Sequence, residues 1–247
     1  MSKLKIAVIG TGLVGTFHAE AFFRNPNSEL VAVCDVDKEK VNSVAQSFNC
    51  KAYEDFTKLI NTETLDAISI ATPEQIRIEP AVMSVKKGLK ILLEKPLGRN
   101  LEKIHELVDK IKDHKKIISV NFILHEDPRY KLMKEKVKND EIGNIVSCFA
   151  RRRGNRFGIE IYAPWTDLLS STLIHDIQMT MSINKSKPVR VFAEAVIREC
   201  KEYDSHDAVM AIMKFDDGGS TSTRSNFEYK DVSKYGRIFS PDEIGKY

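Results

Sequence analysis

The stretch Lys5-Ile6-Ala7-Val8-Ile9-Gly10-Thr11-Gly12-Leu13-Val14-Gly15-Thr16 decides the fold. A short apolar run ends at Gly10, and a helical pattern begins just after Gly15. A strand, a glycine turn and a helix in this order are typical of a dinucleotide-binding fingerprint, in which the helix N-terminus faces the phosphates. The three glycines allow a tight turn, a close approach of the backbone to a pyrophosphate and close packing of helix on strand. We therefore expect cofactor contacts from Gly10, Thr11, Gly12, Leu13, Val14 and Gly15.

A second apolar run, Leu30-Val31-Ala32-Val33-Cys34, ends at Asp35. The fingerprint requires an acidic residue about 20 positions after its glycines, where it accepts hydrogen bonds from the adenosine ribose. Asp35 fits that position, and its carboxylate would repel the 2′-phosphate of NADP. The sequence therefore favours NAD over NADP as the cofactor. The alternative is that Asp35 only begins a turn.

The composition is that of an ordinary soluble protein. The chain has 247 residues, enough for one large domain or two modest ones. Of these residues, 42% are hydrophobic and 30% charged. Its net charge of +3 comes from 38 basic and 35 acidic residues that are interspersed, which argues against a nucleic-acid or membrane-surface partner. The one basic run, 151–153, lies at the end of a predicted strand, where a solvated or interface position explains it.

No apolar segment reaches the ~18 residues that span a bilayer, and the N-terminus leads into the first strand without a signal peptide. The four cysteines are scattered, with no Cys-x-x-Cys or Cys/His spacing. They are typical of reduced thiols in a cytoplasmic protein, and we expect no metal site.

Residues 1–122 alternate between strand and helix patterns, which predicts a first domain of the Rossmann type, a doubly wound parallel sheet covered on both faces. The strand at 67–71 runs into Thr72-Pro73, and the strand at 90–93 runs into Glu94-Lys95-Pro96. Ligands of such sheets bind outside the carboxyl ends of the strands. We therefore expect Ala71, Thr72, Pro73, Glu94 and Lys95 near the cofactor.

Beyond residue 122 the pattern changes, and residues 123–247 predict a second domain. A helix over 129–137 and a helical segment over 173–182 accompany strands at 145–152, 189–197, 208–215 and 220–227. The last two strands flank Asp216-Asp217-Gly218-Gly219, a plausible hairpin turn. This order predicts an α+β domain on a mainly antiparallel sheet.

Several motifs in order resemble the glucose–fructose oxidoreductase, inositol dehydrogenase and rhizopine-catabolism (Gfo/Idh/MocA) family of NAD(P)-dependent oxidoreductases. The similarity runs from about Lys3 to about Tyr229 and is much more specific as an ordered set than any single motif. The matching segments are 6–15, Cys34-Asp35-Val36-Asp37, Ala71-Thr72-Pro73, Leu93-Glu94-Lys95-Pro96, Glu141-Ile142-Gly143-Asn144-Ile145 and Ile174-His175-Asp176-Ile177.

The resemblance implies hydride exchange between nicotinamide and a secondary alcohol of a sugar, polyol or inositol. By the family pattern, Lys95 binds the substrate hydroxyl and His175 is the general acid/base. The residue types suit these roles, because a lysine cation stabilises a developing alkoxide and a histidine titrates near the working pH. The alternatives are a surface lysine and a structural helix histidine.

The chain also departs from the family pattern. Ser171 stands where the family often has an aspartate one helical turn before the histidine, and Asp167 and Asp176 are the nearest carboxylates for orienting the imidazole. Glu74 and Arg77 stand where the family commonly has asparagine and often has histidine, close to the cofactor.

Candidate substrate residues are Asn121, Arg152, Tyr162, Trp165, Ser171 and Asp176. Tyr162 and Trp165 are equally explained as ordinary packing residues. The resemblance further implies a homodimer or homotetramer that forms through the open face of the second sheet.

Family members usually continue well beyond the length of this chain, so we expect the second sheet to be incomplete. A naturally short member, a truncated product and a decayed copy are all compatible with that expectation. The competing function is an NAD(H)-binding sensor or regulatory protein without turnover, which Ser171, Glu74 and Arg77 favour.

Overall fold

The computed structural model of the chain describes residues 2–98, 100–113, 118–155, 166–203 and 205–228. The chain divides into two compact units, Met1–Ile123 and Leu124–Tyr247. Each unit is built on its own sheet.

The first unit contains a six-stranded sheet. In chain order its strands are β1 (Leu4–Ile9), β2 (Ser28–Cys34), β3 (Lys51–Tyr53), β4 (Ala67–Ile70), β5 (Lys90–Glu94) and β6 (Ile118–Asn121). Their pairings are parallel, in the order β3-β2-β1-β4-β5-β6. The direction of winding reverses between β1 and β4, which opens a crevice at the carboxyl ends of these two strands. The predicted doubly wound parallel sheet is confirmed.

Among the described residues of this unit, five α-helices connect the strands. They are α1 (Leu13–Arg24), α2 (Lys38–Ser47), α3 (Phe56–Thr62), α4 (Ile78–Lys86) and α5 (Leu101–Ile111). The side chains of Asp37, Asp55 and Asn100 each accept a backbone N–H from the first turn of α2, α3 and α5. These caps satisfy N–H groups that have no partner inside the helix, so they define where the helices begin. The sequence predicts the Asn100 cap correctly.

Both faces of this sheet are buried. One face packs on α1 and α2 and buries Val8, Ala19, Leu30, Val33, Val41 and Ala45. The other packs on α3, α4 and α5 in a larger cluster that includes Leu59, Ile68, Val85, Leu93 and Leu107. Burial on two faces explains why the central strands are almost continuously apolar in sequence. It also makes the carboxyl ends of β1, β4 and β5 a rigid platform for side chains.

The second unit contains a four-stranded sheet. Its elements are α6 (Pro128–Lys138), β7 (Ser147–Asn155), α7 (Ile174–Ile183), β8 (Pro188–Val196), β9 (Ala208–Phe215) and β10 (Ser220–Glu228). The strand order is β7-β10-β9-β8. Strands β8, β9 and β10 follow one another as an antiparallel meander, and Gly218 has a φ of +91° in the predicted turn before β10.

The predicted mainly antiparallel sheet is confirmed, because two of its three pairings are antiparallel. The third pairing, of β7 with β10, is parallel, so the sheet is mixed. The chain leaves β7 through a long segment that includes α7 and returns at β8 on the opposite edge. A connection of that length allows β7 to run either parallel or antiparallel to β10, whereas a short hairpin forces two strands to be antiparallel.

The two faces of the second sheet differ in burial. On β9, the side chains of Val209, Ala211, Met213 and Phe215 are buried, whereas Met210 and Ile212 are exposed. Leu168 and Leu173, from the helical segment before α7, pack on Val209. The exposed side, called the open face here, aligns Phe149, Ser222, Ile212 and Phe192 across the four strands.

Helices within the described ranges are all too short or too polar to cross a membrane.

Candidate active site

The glycine turn after β1 has the geometry of a phosphate-binding loop. Gly10 has a φ of +92°, and a Cβ there would lie 2.7 Å from the carbonyl oxygen of Ala71. A Cβ on Gly15 would lie 1.8 Å from the carbonyl oxygen of Gly10. A Cβ on Gly12 would meet nothing within 4 Å. Gly10 and Gly15 are therefore required by the fold itself, whereas Gly12 borders open space that a ligand can enter.

Helix α1 begins directly after this turn, at Leu13, and its N-cap Gly12 has no capping side chain. The first turn also contains no acidic residue. Its N–H groups and the positive end of the helix dipole therefore remain available to an anion such as a pyrophosphate. Leu13 and Val14 are both exposed beside this helix end. The turn fits the cofactor that its sequence predicts.

Asp35, at the end of β2, is held against the glycine turn. Its Oδ2 accepts hydrogen bonds from the backbone N–H of Thr11 at 2.7 Å and from the Thr11 hydroxyl at 3.0 Å. Its Oδ1 accepts the N–H of Asp37 at 3.1 Å. These bonds orient a half-buried carboxylate at the end of β2, where a ribose hydroxyl is recognised in this type of fold.

Glu94, at the end of β5, lies in a polar cluster that sequence reasoning missed. Its Oε1 accepts a hydrogen bond from Asn121 Nδ2 at 2.6 Å and lies 3.2 Å from His18 Nε2. His18 Nδ1 in turn lies 2.7 Å from the hydroxyl of Ser69. Burial acts to raise the pKa of Glu94, but the hydrogen bonds from His18 and Asn121 outweigh it and hold the pKa below its usual value. The cluster therefore keeps a buried carboxylate ionised.

One feature of the sequence indicates a structural role for His18. His18 follows Gly15 by three positions, so it lies on the face of α1 that packs on the sheet. A polar residue on a buried helix face usually has a partner. The sequence does not identify that partner, because Glu94 and Asn121 lie 76 and 103 positions further along the chain.

Lys95 follows β5 directly. Its backbone N–H donates to Oε2 of Glu94 at 3.1 Å, and the residue is half-buried. The buried guanidinium of Arg77 donates to the carbonyl oxygens of Glu94, Pro96 and Thr72. The predicted cofactor residues Thr72, Glu94 and Lys95 thus lie at the carboxyl ends of neighbouring strands, where Arg77 binds the backbone of Thr72 and of the residues on either side of Lys95.

In the second unit, His175 is the second residue of α7 and is buried. One continuous helical run covers 168–183, with a π-helical stretch at Leu169–Leu173 before α7. Asp167 caps this run, because its Oδ1 accepts the N–H of Ser170 at 2.6 Å. The hydroxyl of Ser171 lies 3.2 Å from that of Thr172.

Asp176 and Arg152 form an ion pair with two hydrogen bonds. Arg152 Nη2 lies 2.8 Å from Asp176 Oδ1, and Arg152 Nε lies 3.0 Å from Oδ2. The hydrogen bonds that Arg152 donates to Asp176 raise the pKa of Arg152 above its usual value, although burial opposes this. The two carboxylates considered as orienting groups for His175 therefore have other assignments: Asp167 caps the helix and Asp176 holds Arg152.

The structure brings the predicted residues together within each unit. Gly10, Thr11, Asp35, Ala71, Thr72, Glu94 and Asn121 lie at the carboxyl end of the first sheet. Arg152, Ser171, His175 and Asp176 belong to β7 and the helical run of the second unit. Tyr162 and Trp165 lie outside the described residues. Within the described ranges, no group of three or more His, Cys, Asp and Glu side chains could hold a metal ion.

Comparison with known proteins assigns the first unit. Residues 4–122 match the Gfo/Idh/MocA family model, whose description is "Oxidoreductase family, NAD-binding Rossmann fold". The chain is 29% identical to an inositol 2-dehydrogenase of Rubrobacter xylanophilus over 177 residues, which cover 71% of this chain and 50% of that protein. It is 25% identical to a myo-inositol 2-dehydrogenase of Thermotoga maritima, over 96% of this chain and 75% of that one.

A solved structure has the same fold. The crystal structure of scyllo-inositol dehydrogenase from Lactobacillus casei with bound NAD(H) and scyllo-inositol superposes with a TM-score of 0.84 at 20% identity. The match covers 92% of this chain and 71% of that chain. The family match over β1 to β6 assigns the first unit to the NAD-binding Rossmann domain of the Gfo/Idh/MocA family of oxidoreductases, and the chain is similar to two curated inositol dehydrogenases.

Proposed function

We propose that this protein is an NAD-dependent oxidoreductase that transfers a hydride between nicotinamide and a secondary alcohol of a sugar, polyol or inositol. The observation that carries the proposal is the position of Lys95 directly after β5, on the sheet edge that also holds the glycine turn and Asp35. The curated relatives named above are inositol dehydrogenases, which supports the choice of substrate class.

The first unit supplies the cofactor-binding groups. The N-terminus of α1 and the open space at Gly12 would receive the pyrophosphate, and the carboxylate of Asp35 would accept hydrogen bonds from the ribose hydroxyls. A 2′-phosphate would face the carboxylate of Asp35 and be repelled, so we propose NAD as the cofactor. When bound, NAD supplies the nicotinamide carbon that accepts the hydride.

Lys95 and His175 divide the remaining chemistry. The ammonium of Lys95 donates a hydrogen bond to the alcohol oxygen and stabilises the negative charge that develops there. An imidazole nitrogen of His175 takes the hydroxyl proton as the hydride leaves the same carbon, and it returns that proton in the reverse reaction. Arg152, fixed by Asp176, is a candidate for binding a further hydroxyl of the substrate.

The open face of the second sheet supports a homodimer or homotetramer. Phe149, Ile212 and Phe192 are exposed by 67%, 51% and 61% on this face and lie in one row across the strands. Exposed apolar side chains in this arrangement, interrupted on β10 by Ser222, favour a protein interface. None of the four cysteines, all of which lie among the described residues, forms a disulfide, which suits the reducing cytoplasm that we propose as its location.

The test is titration of the protein with NADH, followed by a panel of inositols, polyols and sugars with NAD at alkaline pH. We expect saturable NADH binding and turnover of at least one alcohol. Lys95→Ala and His175→Ala should each lower kcat by about 10²–10⁴-fold while the protein still binds NADH, because each removes one group that acts on the alcohol.

The matched controls are Lys90→Ala and His105→Ala. Lys90 begins the same strand that Lys95 follows, and His105 is an exposed histidine on α5. Both should keep wild-type kcat. NADH binding without turnover of any alcohol in the panel would contradict the proposed reaction and favour a sensor.

A further inference from the structure

Arg77 is a charged side chain in an unusual position. It lies between the short 3₁₀ turn Glu74–Ile76 and helix α4, and only 4% of its surface is exposed. A buried cation is unfavourable unless hydrogen bonds and opposite charges replace the water it has lost. Burial lowers the pKa of Arg77 to about 10, although the carboxylates of Glu94 and Glu74 act in the opposite direction. The guanidinium is therefore still charged at neutral pH.

The guanidinium makes its bonds entirely to backbone carbonyl groups around the Lys95 loop. Nη1 donates to the carbonyl oxygen of Glu94 at 2.5 Å and also to that of Pro96. These are the carbonyls of the residues immediately before and after Lys95. Nη2 donates to the carbonyl oxygen of Thr72, at the end of the neighbouring strand β4.

Thr72 and Pro96 lie beyond the ends of β4 and β5, and Glu94 is the last residue of β5, paired there with Asn121 of β6. The pairing of β4 with β5 stops at Ile70 and Leu93, so Thr72, Glu94 and Pro96 have no strand partner in that ladder. Buried carbonyl groups need donors. Arg77 supplies them from a single rigid group, and it joins the ends of two strands that the ladder no longer connects.

The side chain of Glu94 is held as well. His18 and Asn121 fix its carboxylate, and that carboxylate accepts the backbone N–H of Lys95. The backbone at Lys95 is thus restrained on both sides by Arg77 and at its own N–H by Glu94.

We infer that Arg77 is a positioning residue for Lys95: it fixes the backbone on either side of this lysine so that the ammonium group is presented in one place. The inference rests on the proposed function for the role of Lys95 but not for the restraint itself. Arg77 acts through the backbone and does not touch the reacting atoms. This role suits an arginine, because the planar guanidinium reaches carbonyl groups at the ends of two strands, whereas the single ammonium of a lysine does not.

The test compares Arg77→Lys and Arg77→Met with the wild-type protein. The first readout is amide hydrogen exchange at Lys95 and Leu97, which does not depend on turnover. We expect exchange there to become at least about tenfold faster in both variants, because the carbonyls that restrain the loop lose their donors. The second readout is kinetic: kcat should fall by about 10²-fold while KM for NAD stays within about threefold, since misplacing a catalytic group slows chemistry more than binding.

Leu59→Ala is the matched control for instability. Leu59 is fully buried on α3, and its truncation destabilises the same unit without removing any of the hydrogen bonds that hold the backbone around Lys95. This variant should leave exchange at Lys95 close to that of the wild type. If it accelerates exchange at Lys95 as much as the Arg77 variants do, the effect is global and the inference is wrong.

The remaining outcomes are also decisive. If Arg77→Met does not fold, Arg77→Lys alone gives the result. Folded variants with wild-type exchange at Lys95 and Leu97 overturn the inference, whatever their activity. If the wild-type protein turns over no alcohol, the proposed function fails, and the exchange measurement still decides whether Arg77 restrains Lys95.

Discussion

Single residues in the glycine turn have separable tasks. Gly10 needs its positive φ and has no room for a Cβ beside Ala71, whereas Gly12 borders open space. A methyl group at the first position disturbs the folded chain, and one at the second disturbs only what binds to it. The two substitutions therefore distinguish stability from cofactor binding.

We predict that Gly12→Ala has the same midpoint of urea unfolding as the wild type. It should bind NADH at least about tenfold more weakly, because the methyl group takes the space of the pyrophosphate. Gly10→Ala should instead lose about 2 kcal/mol or more of stability, since it combines a left-handed φ with a backbone clash. Urea unfolding and NADH fluorescence titration measure the two effects. Equal NADH affinity in Gly12→Ala and the wild type would contradict the assigned cofactor position.

At this scale the sequence predicts residues whose partners are close in the chain or fixed by a motif. Asp35 is one, because the fingerprint sets its distance from the glycines. Arg77 is different: the sequence marks it as a departure from the family pattern, but its partners come from two other strand ends. Burial of an arginine depends on carbonyl groups that only the folded sheet assembles, so no local pattern predicts its role.

Four elements of the first unit meet at Glu94. His18 belongs to α1, Ser69 to β4, Glu94 to β5 and Asn121 to β6. The carboxylate is ionised at neutral pH and has a pKa below its usual value, so protonation weakens the connection among these elements. The cluster makes the packing of the four elements sensitive to acid.

The direction of that sensitivity follows from linkage. The pKa of Glu94 is lower in the folded protein than the ~4.3 of an unfolded glutamate, so its stabilisation is complete above that value and is lost as the pH falls through the folded pKa. We predict that Glu94→Gln lowers the free energy of unfolding at pH 7 by about 1–3 kcal/mol. The difference from the wild type should shrink as the pH is lowered below about 4.

Urea unfolding at several pH values measures this, with Glu29→Gln as the control, because Glu29 is an exposed acid on β2. If the difference in the free energy of unfolding between Glu94→Gln and the wild type stays constant down to pH 3, the carboxylate does not stabilise the cluster.

The identity of the elements was predictable, while one pairing was not. Alternating strands and helices, together with caps such as Asn100, predict the parallel sheet, because each helix must cover a sheet face. The periodicity of β7 predicts a strand but contains no information on its direction or neighbour. The parallel pairing with β10 joins segments about 70 residues apart, and only the complete sheet determines it.

The whole molecule presents an apolar surface that one copy of the chain leaves exposed. The open face places Phe149, Ile212 and Phe192 in one row, with Met210 beside them on β9. Association through such a surface removes apolar area from water and is favourable. The sequence predicted an association through this sheet from family resemblance, but the row itself depends on the register of all four strands.

We predict that Ile212→Glu reduces the mass of the particle in solution from that of an oligomer to a smaller assembly, because a buried charge at the centre of an apolar interface is unfavourable. Light scattering after gel filtration measures the mass. Leu132→Glu, at an exposed position on α6, is the control and should keep the wild-type mass. A monomeric wild-type protein, or an Ile212→Glu variant of unchanged mass, would contradict this interface.

The bond between Asp35 and Thr11 bears on any redesign of nucleotide preference. The carboxylate now engages both the amide and the hydroxyl of Thr11. Exchanging Asp35 for a small neutral residue therefore does two things at once: it removes a repulsive charge, and it releases two donors beside the vacated space. Those donors match the acceptors of a phosphate ester, so the wild-type scaffold already contains part of the receptor that a phosphorylated nucleotide requires.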